Sequence, residues 1–227
     1  MPVILGLLFI IALAVLPSWW VRAVIWQHGT HRPDLPGTGG ELARHLLDGM
    51  GLASVKVEET AMGDHYDPEL KAVRLMPDRF HGRSLSAAVI AAHEVGHAMQ
   101  DATDSRLLKT RTRLAKTAIV IERAGGLVML VAPLMTILLR HPGVLLLELG
   151  LGLIILGMGV VLQLTTLPVE FDASFNRALP VLRAGRYIPE RDLPAARSIL
   201  RAAAFTYVAA ALMSLINIAR WLRVLRI

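Results

Sequence analysis

Two histidines and a glutamate near the middle of the chain have the types and spacing of a metal site. Residues 93–97 read His-Glu-x-x-His inside an apolar run that predicts a helix. Residues four apart on a helix share one face, so His93 and His97 can hold one metal ion. Glu94 can reach a water on that ion without being a ligand. Zinc in such a site lowers the pKa of its water to about 7, and the carboxylate takes a proton as water attacks a carbonyl.

The surroundings of this motif favour a metal site over a structural helix. Glu94 is the one Asp, Glu, Lys or Arg between residues 84 and 100. An apolar helix that buries a carboxylate and two imidazoles is costly unless those groups have partners. The alternative is a buried structural helix whose histidines hydrogen-bond to backbone. The chain has no cysteine, so any further ligand must be a histidine or a carboxylate.

The composition indicates a membrane protein. Hydrophobic residues make up 54% of the 227 positions, and the formal net charge is +6. Several arginines flank apolar stretches and are not interleaved with aromatic residues on a polar face, which favours membrane flanks over nucleic-acid binding. We therefore expect contact with a lipid bilayer and none with nucleic acid. The cluster of basic residues between 106 and 116 is expected to face anionic lipid.

Apolar runs divide the chain into membrane and soluble parts. We predict an uncleaved N-terminal transmembrane anchor at 1–21 and a soluble zinc-protease part with the metal-binding helix at 22–116. A transmembrane hairpin at 117–167, a third-ligand helix and loop at 168–201, and a C-terminal transmembrane helix with a basic tail at 202–227 follow. The soluble part is predicted to contain a helix at 38–51 and short strands at 55–58 and 72–75.

The third zinc ligand is expected beyond the hairpin. A hairpin returns the chain to the side from which it entered, so the segment after 167 emerges on the same side of the membrane as the segment that carries His93 and His97. Glu170 lies there at the start of a predicted helix, where a carboxylate is favourable. Asp172 is the competitor, and two residues apart on a helix both cannot point at one ion. The remaining alternative is that both carboxylates only cap the helix.

Three stretches resemble a known family: DHYDP at 64–68, AAHEVGHAMQ at 91–100 and LPVEFDAS at 167–174. In this order they resemble the bacterial membrane-bound neutral zinc metallopeptidases typified by YugP, which are similar to the HtpX-like and CAAX-prenyl-protease-like gluzincins. The resemblance implies an α+β zinc-metallopeptidase domain of minimal gluzincin type, embedded in a multi-span α-helical membrane protein. It also implies one Zn²⁺ per chain and hydrolysis of peptide bonds in protein or peptide substrates, membrane proteins among them.

The resemblance also implies roles for single residues. His93, His97 and Glu170 would hold zinc, and Glu94 would be the general base. In the similar gluzincins an Asp four residues after the third ligand supports a ligand histidine. That position is Ser174 here, with Asp172 as a candidate substitute.

Three interpretations of the cluster at 64–68 are possible. His65 and Tyr66 could donate to the oxyanion or contact substrate, as such side chains do in many gluzincin sites. Alternatively, the cluster is a turn stabilised by its aspartates. In the third reading the chain is a non-proteolytic membrane adaptor, with His65 as fourth ligand of a closed structural zinc site. For the enzyme, we expect the strand just before the metal-binding helix to accept substrate as an added strand.

Charge sets the expected orientation. The segment 22–116 holds 13 Lys and Arg and the segment 168–201 holds 6, whereas the turn between the hairpin helices holds only Arg140. The positive-inside rule places both motif-bearing segments in the cytoplasm of a multi-pass inner-membrane protein. The arginines at 220, 223 and 226 oppose this if the last run crosses the membrane. The alternative is an outward-facing protease.

Overall fold

A computed structural model describes residues 2–139 and 142–224, so Arg140 and the end of the basic tail lie outside the described part. The chain is largely helical with one small sheet, an α+β arrangement. Its helices are α1 (Pro2–Gln27), α2 (Gly39–Gly49), α3 (Pro77–Phe80), α4 (Leu85–Ala102), α5 (Arg106–Leu139), α6 (Pro142–Phe171), α7 (Leu179–Ala184) and α8 (Leu193–Val224). The strands are β1 (Lys56–Glu59), β2 (His65–Asp67) and β3 (Ala72–Leu75). A π-helical segment, Asp172–Ala178, joins α6 to α7, and a 3₁₀ turn, Glu190–Asp192, precedes α8.

Side-chain caps mark where α2 and α4 begin. Thr38 and Glu41 form a capping box at α2, each side chain bonding the other's backbone N–H. The Ser84 hydroxyl accepts from the Ala87 N–H at 3.2 Å and so caps α4. The predicted helix and strands are present within a residue or two of their expected limits.

The sheet corrects the expected site of substrate addition. Its strand order is β1-β3-β2, with β1 parallel and β2 antiparallel to β3. The strand just before the metal-binding helix is β3, and neighbours pair with both of its edges. A strand paired on both sides has no free backbone groups for a substrate, so that expectation was wrong. The free edges belong to β1 and β2, and residues 65–67 form a strand, which the interpretation of 64–68 as a turn did not predict.

Helix α4 lies at the centre of the domain that holds the motif. It packs against α2, the sheet and the π segment, and most of its residues are buried. At Gly96 the helix comes very near the π segment, because an added Cβ would lie 2.6 Å from the Ala173 carbonyl oxygen. Since real Cβ contacts stay beyond about 3.0 Å, this position requires glycine. The π segment therefore rests directly on the backbone of the metal-binding helix.

The chain forms two compact units. The first comprises the described parts of 1–14, 110–166 and 207–227, where an added Cβ at Gly125 would meet the Ile155 side chain. The second comprises 15–109 and 167–206 and contains the sheet, α4 and the π segment. The segments before and after the predicted hairpin thus fold into one unit.

Two helical stretches in the described residues are long and apolar enough to cross a membrane. They are Leu149–Ala184 and Glu190–Ile216. The spans expected at 1–21 and 117–139 coincide with α1 and with part of α5, and they stay predictions.

Candidate metal centre

Helix α4 and the end of α6 bring three potential ligands together. His93, His97 and Glu170 each offer an atom within 4.8 Å of the others, and all three are buried. The Glu170 Oε2 lies 3.1 Å from His93 Nε2 and 3.6 Å from His97 Nε2. Among the described residues this cluster has three members, and neither His65 nor Asp172 is one of them.

The buried charges of the site favour a cation. Burial lowers the pKa of His97, but the Glu170 carboxylate beside it outweighs burial and raises that pKa to about 9. The imidazole of His97 beside this carboxylate thus favours positive charge, which a divalent metal also supplies. Two neutral nitrogens and one carboxylate oxygen are donors that zinc accepts, so the residues present fit this metal.

Glu94 lies beside the cluster without belonging to it. Its side chain is buried on α4, and burial raises the pKa of its carboxyl group. The charges of His93 and His97 oppose this rise, and those of Glu170 and Asp64 add to it. Glu94 therefore interacts electrostatically with all three potential ligands, and its carboxylate is a stronger base than that of an exposed glutamate.

Ser174 contacts His93 at the ring nitrogen that faces away from Glu170. Its hydroxyl lies 3.0 Å from His93 Nδ1, and its side chain is fully buried. An Nδ1–H that donates to Ser174 leaves Nε2, the nitrogen that faces Glu170, free to bind a metal. Ser174, one of the two candidates for this supporting role, thus contacts a potential ligand histidine and offers a neutral acceptor.

Gln100 contacts the second histidine, and the sequence reading missed it. Its Oε1 lies 2.9 Å from His97 Nδ1. Its Nε2 donates to the Val169 carbonyl at 2.9 Å and to Asp172 Oδ2 at 2.8 Å. Asp172 therefore touches Gln100 and not the cluster itself. Position 100 lies one turn after His97 on the same face, and that spacing was the available signal.

The π segment brings Ser174 to the site. Its backbone bonds run from residue i to i+5, as between the Leu179 N–H and the Ser174 carbonyl. Such segments are frequent at functional sites. Here the segment begins two residues after Glu170 and packs on α4 at Gly96.

His65 and Tyr66 point to opposite faces of the sheet. Tyr66 packs against the core, and its hydroxyl donates to Asp101 Oδ2 at 2.6 Å, which links β2 to the end of α4. His65 pairs across the sheet with Arg74 and has its Nδ1 2.8 Å from the Gly63 carbonyl. Asp67 accepts from the two N–H groups that follow Pro68, which stabilises the turn to β3.

A buried His-Glu-x-x-His helix with a glutamate from a later helix beside it is the arrangement found in zinc metallopeptidases. Residues 3–226 match the family model described as "Putative neutral zinc metallopeptidase", and the chain belongs to that family. It is 41% identical over 189 residues to "Putative membrane protease YugP" of Bacillus subtilis (strain 168), covering 82% of this chain and 80% of that protein. No solved structure matches. The expected family and its zinc cofactor are confirmed.

Proposed function

We propose that the protein is a membrane-bound zinc endopeptidase in which His93, His97 and Glu170 hold the metal and Glu94 is the general base. The observation that carries the proposal is the buried cluster of three potential ligands, with the buried carboxylate of Glu94 beside it. Three protein ligands leave a position open for water, as catalytic sites require and closed structural sites do not. The described cluster gives the adaptor alternative no fourth ligand.

Each residue has a defined task in the proposed reaction. Zinc, when bound, supplies Lewis-acid activation of water and of the scissile carbonyl. Glu94 accepts the proton of the attacking water and then delivers it to the leaving amine nitrogen. Its raised pKa suits both tasks, since a carboxylate that gives up its proton too easily is a weak base.

We propose the free edge of β2 as the place where substrate binds as an added strand. The two free edges are those of β1 and β2. Strand β2 contacts α4 through the hydrogen bond from Tyr66 to Asp101, whereas β1 contacts α2. The charge of Asp64, directly before β2, acts on Glu94, so this end of the strand approaches the general base. Main-chain hydrogen bonds to an edge strand would hold an extended peptide with little dependence on sequence.

A scan of N-methylated peptides tests this binding mode. N-methylation removes one backbone donor at a time, so cleavage should fail at alternate positions near the scissile bond and persist between them. Tolerance of N-methyl groups at every position would rule out strand addition.

Substitution of the general base tests the enzyme itself. Glu94→Gln keeps the size of the side chain but removes the proton acceptor. The variant should retain zinc and lose cleavage of a casein-type substrate. Cleavage by Glu94→Gln at the wild-type rate would overturn the assignment. Zinc content distinguishes a lost base from a lost metal.

The role of His65 and Tyr66 as oxyanion or substrate contacts needs its own test. An oxyanion donor is worth about 3 kcal/mol, or roughly 100-fold in kcat. Tyr66→Phe and His65→Ala should be compared in kcat at saturating zinc. If neither lowers kcat, the cluster serves the turn and the link to Asp101.

We propose that the site faces the cytoplasm, on the charge distribution around the predicted spans. Fusions of alkaline phosphatase after Lys116 and after Arg197 test this orientation. Because the reporter is active only outside the cytoplasm, both fusions should be inactive. Activity at both positions would show an outward-facing protease.

A further inference from the structure

We propose that Gln100 is a positioning residue of the zinc site. Its carboxamide fixes His97 in the tautomer that presents Nε2 to the metal, and it ties that ring to the backbone that carries Glu170. The inference rests on the zinc site proposed above. It assigns a task to a side chain outside the His-Glu-x-x-His motif.

The partners of Gln100 determine which way its amide points. Its Nε2 lies 2.9 Å from the Val169 carbonyl and 2.8 Å from Asp172 Oδ2, and both atoms can only accept. The nitrogen must therefore face them, and Oε1 must face His97 Nδ1 at 2.9 Å. An amide oxygen only accepts, so Nδ1 carries the proton and the Nε2 lone pair is left for a metal.

The same amide joins the two parts of the site. Its donor end bonds residues on both sides of the third ligand, one position before Glu170 and two positions after it. Its acceptor end holds a ligand on α4. A shift of the Glu170 segment along α4 would therefore strain the bonds at Gln100 as well as the distances between the potential ligands.

Asp172, one of the two acceptors of the Gln100 amide, is itself held by hydrogen bonds. The Asp172 carboxylate accepts from Asn176 Nδ2 at 3.0 Å and from Arg177 Nε at 2.9 Å, as well as from Gln100. Arg177 thus compensates the charge of Asp172. Gln100 has no exposed surface, so unmade bonds there could not be replaced by water. Complete satisfaction of a buried polar side chain is what holds a ligand rigidly.

Gln100→Met tests the proposal on the full-length chain in detergent. Methionine keeps nearly the same volume and removes all three polar bonds. We expect zinc to bind about 10- to 100-fold more weakly, measured by competition with a chelator of known affinity. The visible absorption of the cobalt-substituted protein should change as well, because the ring of His97 is no longer held.

Val89→Ala is the matched control, since Val89 is fully buried on the same helix and belongs to the apolar core. It should lower the Tm of the metal-free protein and leave zinc affinity and the cobalt spectrum unchanged. If Gln100→Met behaves like Val89→Ala, with a lowered Tm and wild-type zinc affinity, Gln100 is a packing residue and the proposal is wrong.

Asp172→Ala provides a second route if Gln100→Met does not fold. It removes one of the two acceptors of the Gln100 amide, so zinc affinity should fall several-fold, and wild-type affinity would overturn the proposal. Failure of the proposed function gives a different result. A wild-type chain that binds zinc through His93, His97 and Glu170 but cleaves nothing would refute the peptidase, and the effect of Gln100 on zinc affinity would still be measured.

Discussion

Replacing Gly96 by alanine should damage the metal site far more than it damages the fold. The added Cβ would lie 2.6 Å from the Ala173 carbonyl oxygen, 3.3 Å from its carbon and 3.4 Å from its Cα. Ordinary contacts begin at 3.4 Å, so the π segment and α4 must separate by about 0.8 Å. All three neighbouring atoms are backbone, and no side-chain rotation can relieve the clash.

The effects on stability partly cancel. Overpacking in a well-packed core costs about 1–3 kcal/mol. Alanine in a helix interior gains about 1 kcal/mol over glycine. The net loss should therefore be about 0–2 kcal/mol, and the protein should still fold.

The effect on the site is not offset. Glu170 and Ser174 are attached to the segment that must move, whereas His93 and His97 are attached to α4. A misplacement near 1 Å can cost about 100-fold in catalysis. Zinc affinity should fall too, because the distances between Glu170 and the two imidazoles increase.

The assay compares Gly96→Ala with Gly49→Ala, purified in detergent. Gly49 lies at the end of α2, and an added Cβ there meets nothing within 4 Å. Casein cleavage at saturating zinc, zinc content and Tm should be measured for both. Gly49→Ala should match the wild type. Full zinc content and wild-type cleavage in Gly96→Ala would refute the reasoning, because they would show that α4 and the π segment can accommodate a Cβ at this position without displacing the site.

Three further outcomes are expected. Ser174→Ala removes the acceptor behind His93 and should weaken zinc binding about tenfold in chelator competition; unchanged affinity would show that the bond at Nδ1 is dispensable. Excess zinc at about 1,000 times its Kd should stabilise the wild type by about 4 kcal/mol, seen as a raised Tm, and His97→Ala should lose this response. A hydrogen bond from Arg32 lowers the pKa of Asp34 to about 2, so its stabilisation is present above the ordinary pKa and disappears as pH falls toward 2. The Tm gap between wild type and Asp34→Asn should therefore close between about pH 4 and pH 2, and a constant gap would contradict this.

The parts of the site that the sequence predicted are those set by local periodicity. His93 and His97 share a face because they are four residues apart on a helix, and Ser84 marks where that helix begins. Glu170 could be proposed because a hairpin returns the chain to the same side, and because the family resemblance supports it.

The parts that the sequence did not predict depend on long-range packing. The order β1-β3-β2 places a later strand between two earlier ones, and nothing in the residues of β3 shows that both of its edges are paired. The role of Gln100 depends on a contact 69 positions away along the chain, at Val169. The π segment packs closely on α4 at Gly96, and a search for helical periodicity does not detect such a long-range contact.

The separation of the ligands along the chain has a consequence for biogenesis. His97 and Glu170 are separated by the whole of α5 and nearly all of α6. His93, Glu94 and His97 are synthesised long before Glu170, so a nascent chain lacks one of the four proposed site residues. A chain arrested before the end of α6 is equally incomplete. We therefore expect zinc loading, and with it the proposed peptidase activity, to follow synthesis of both helices.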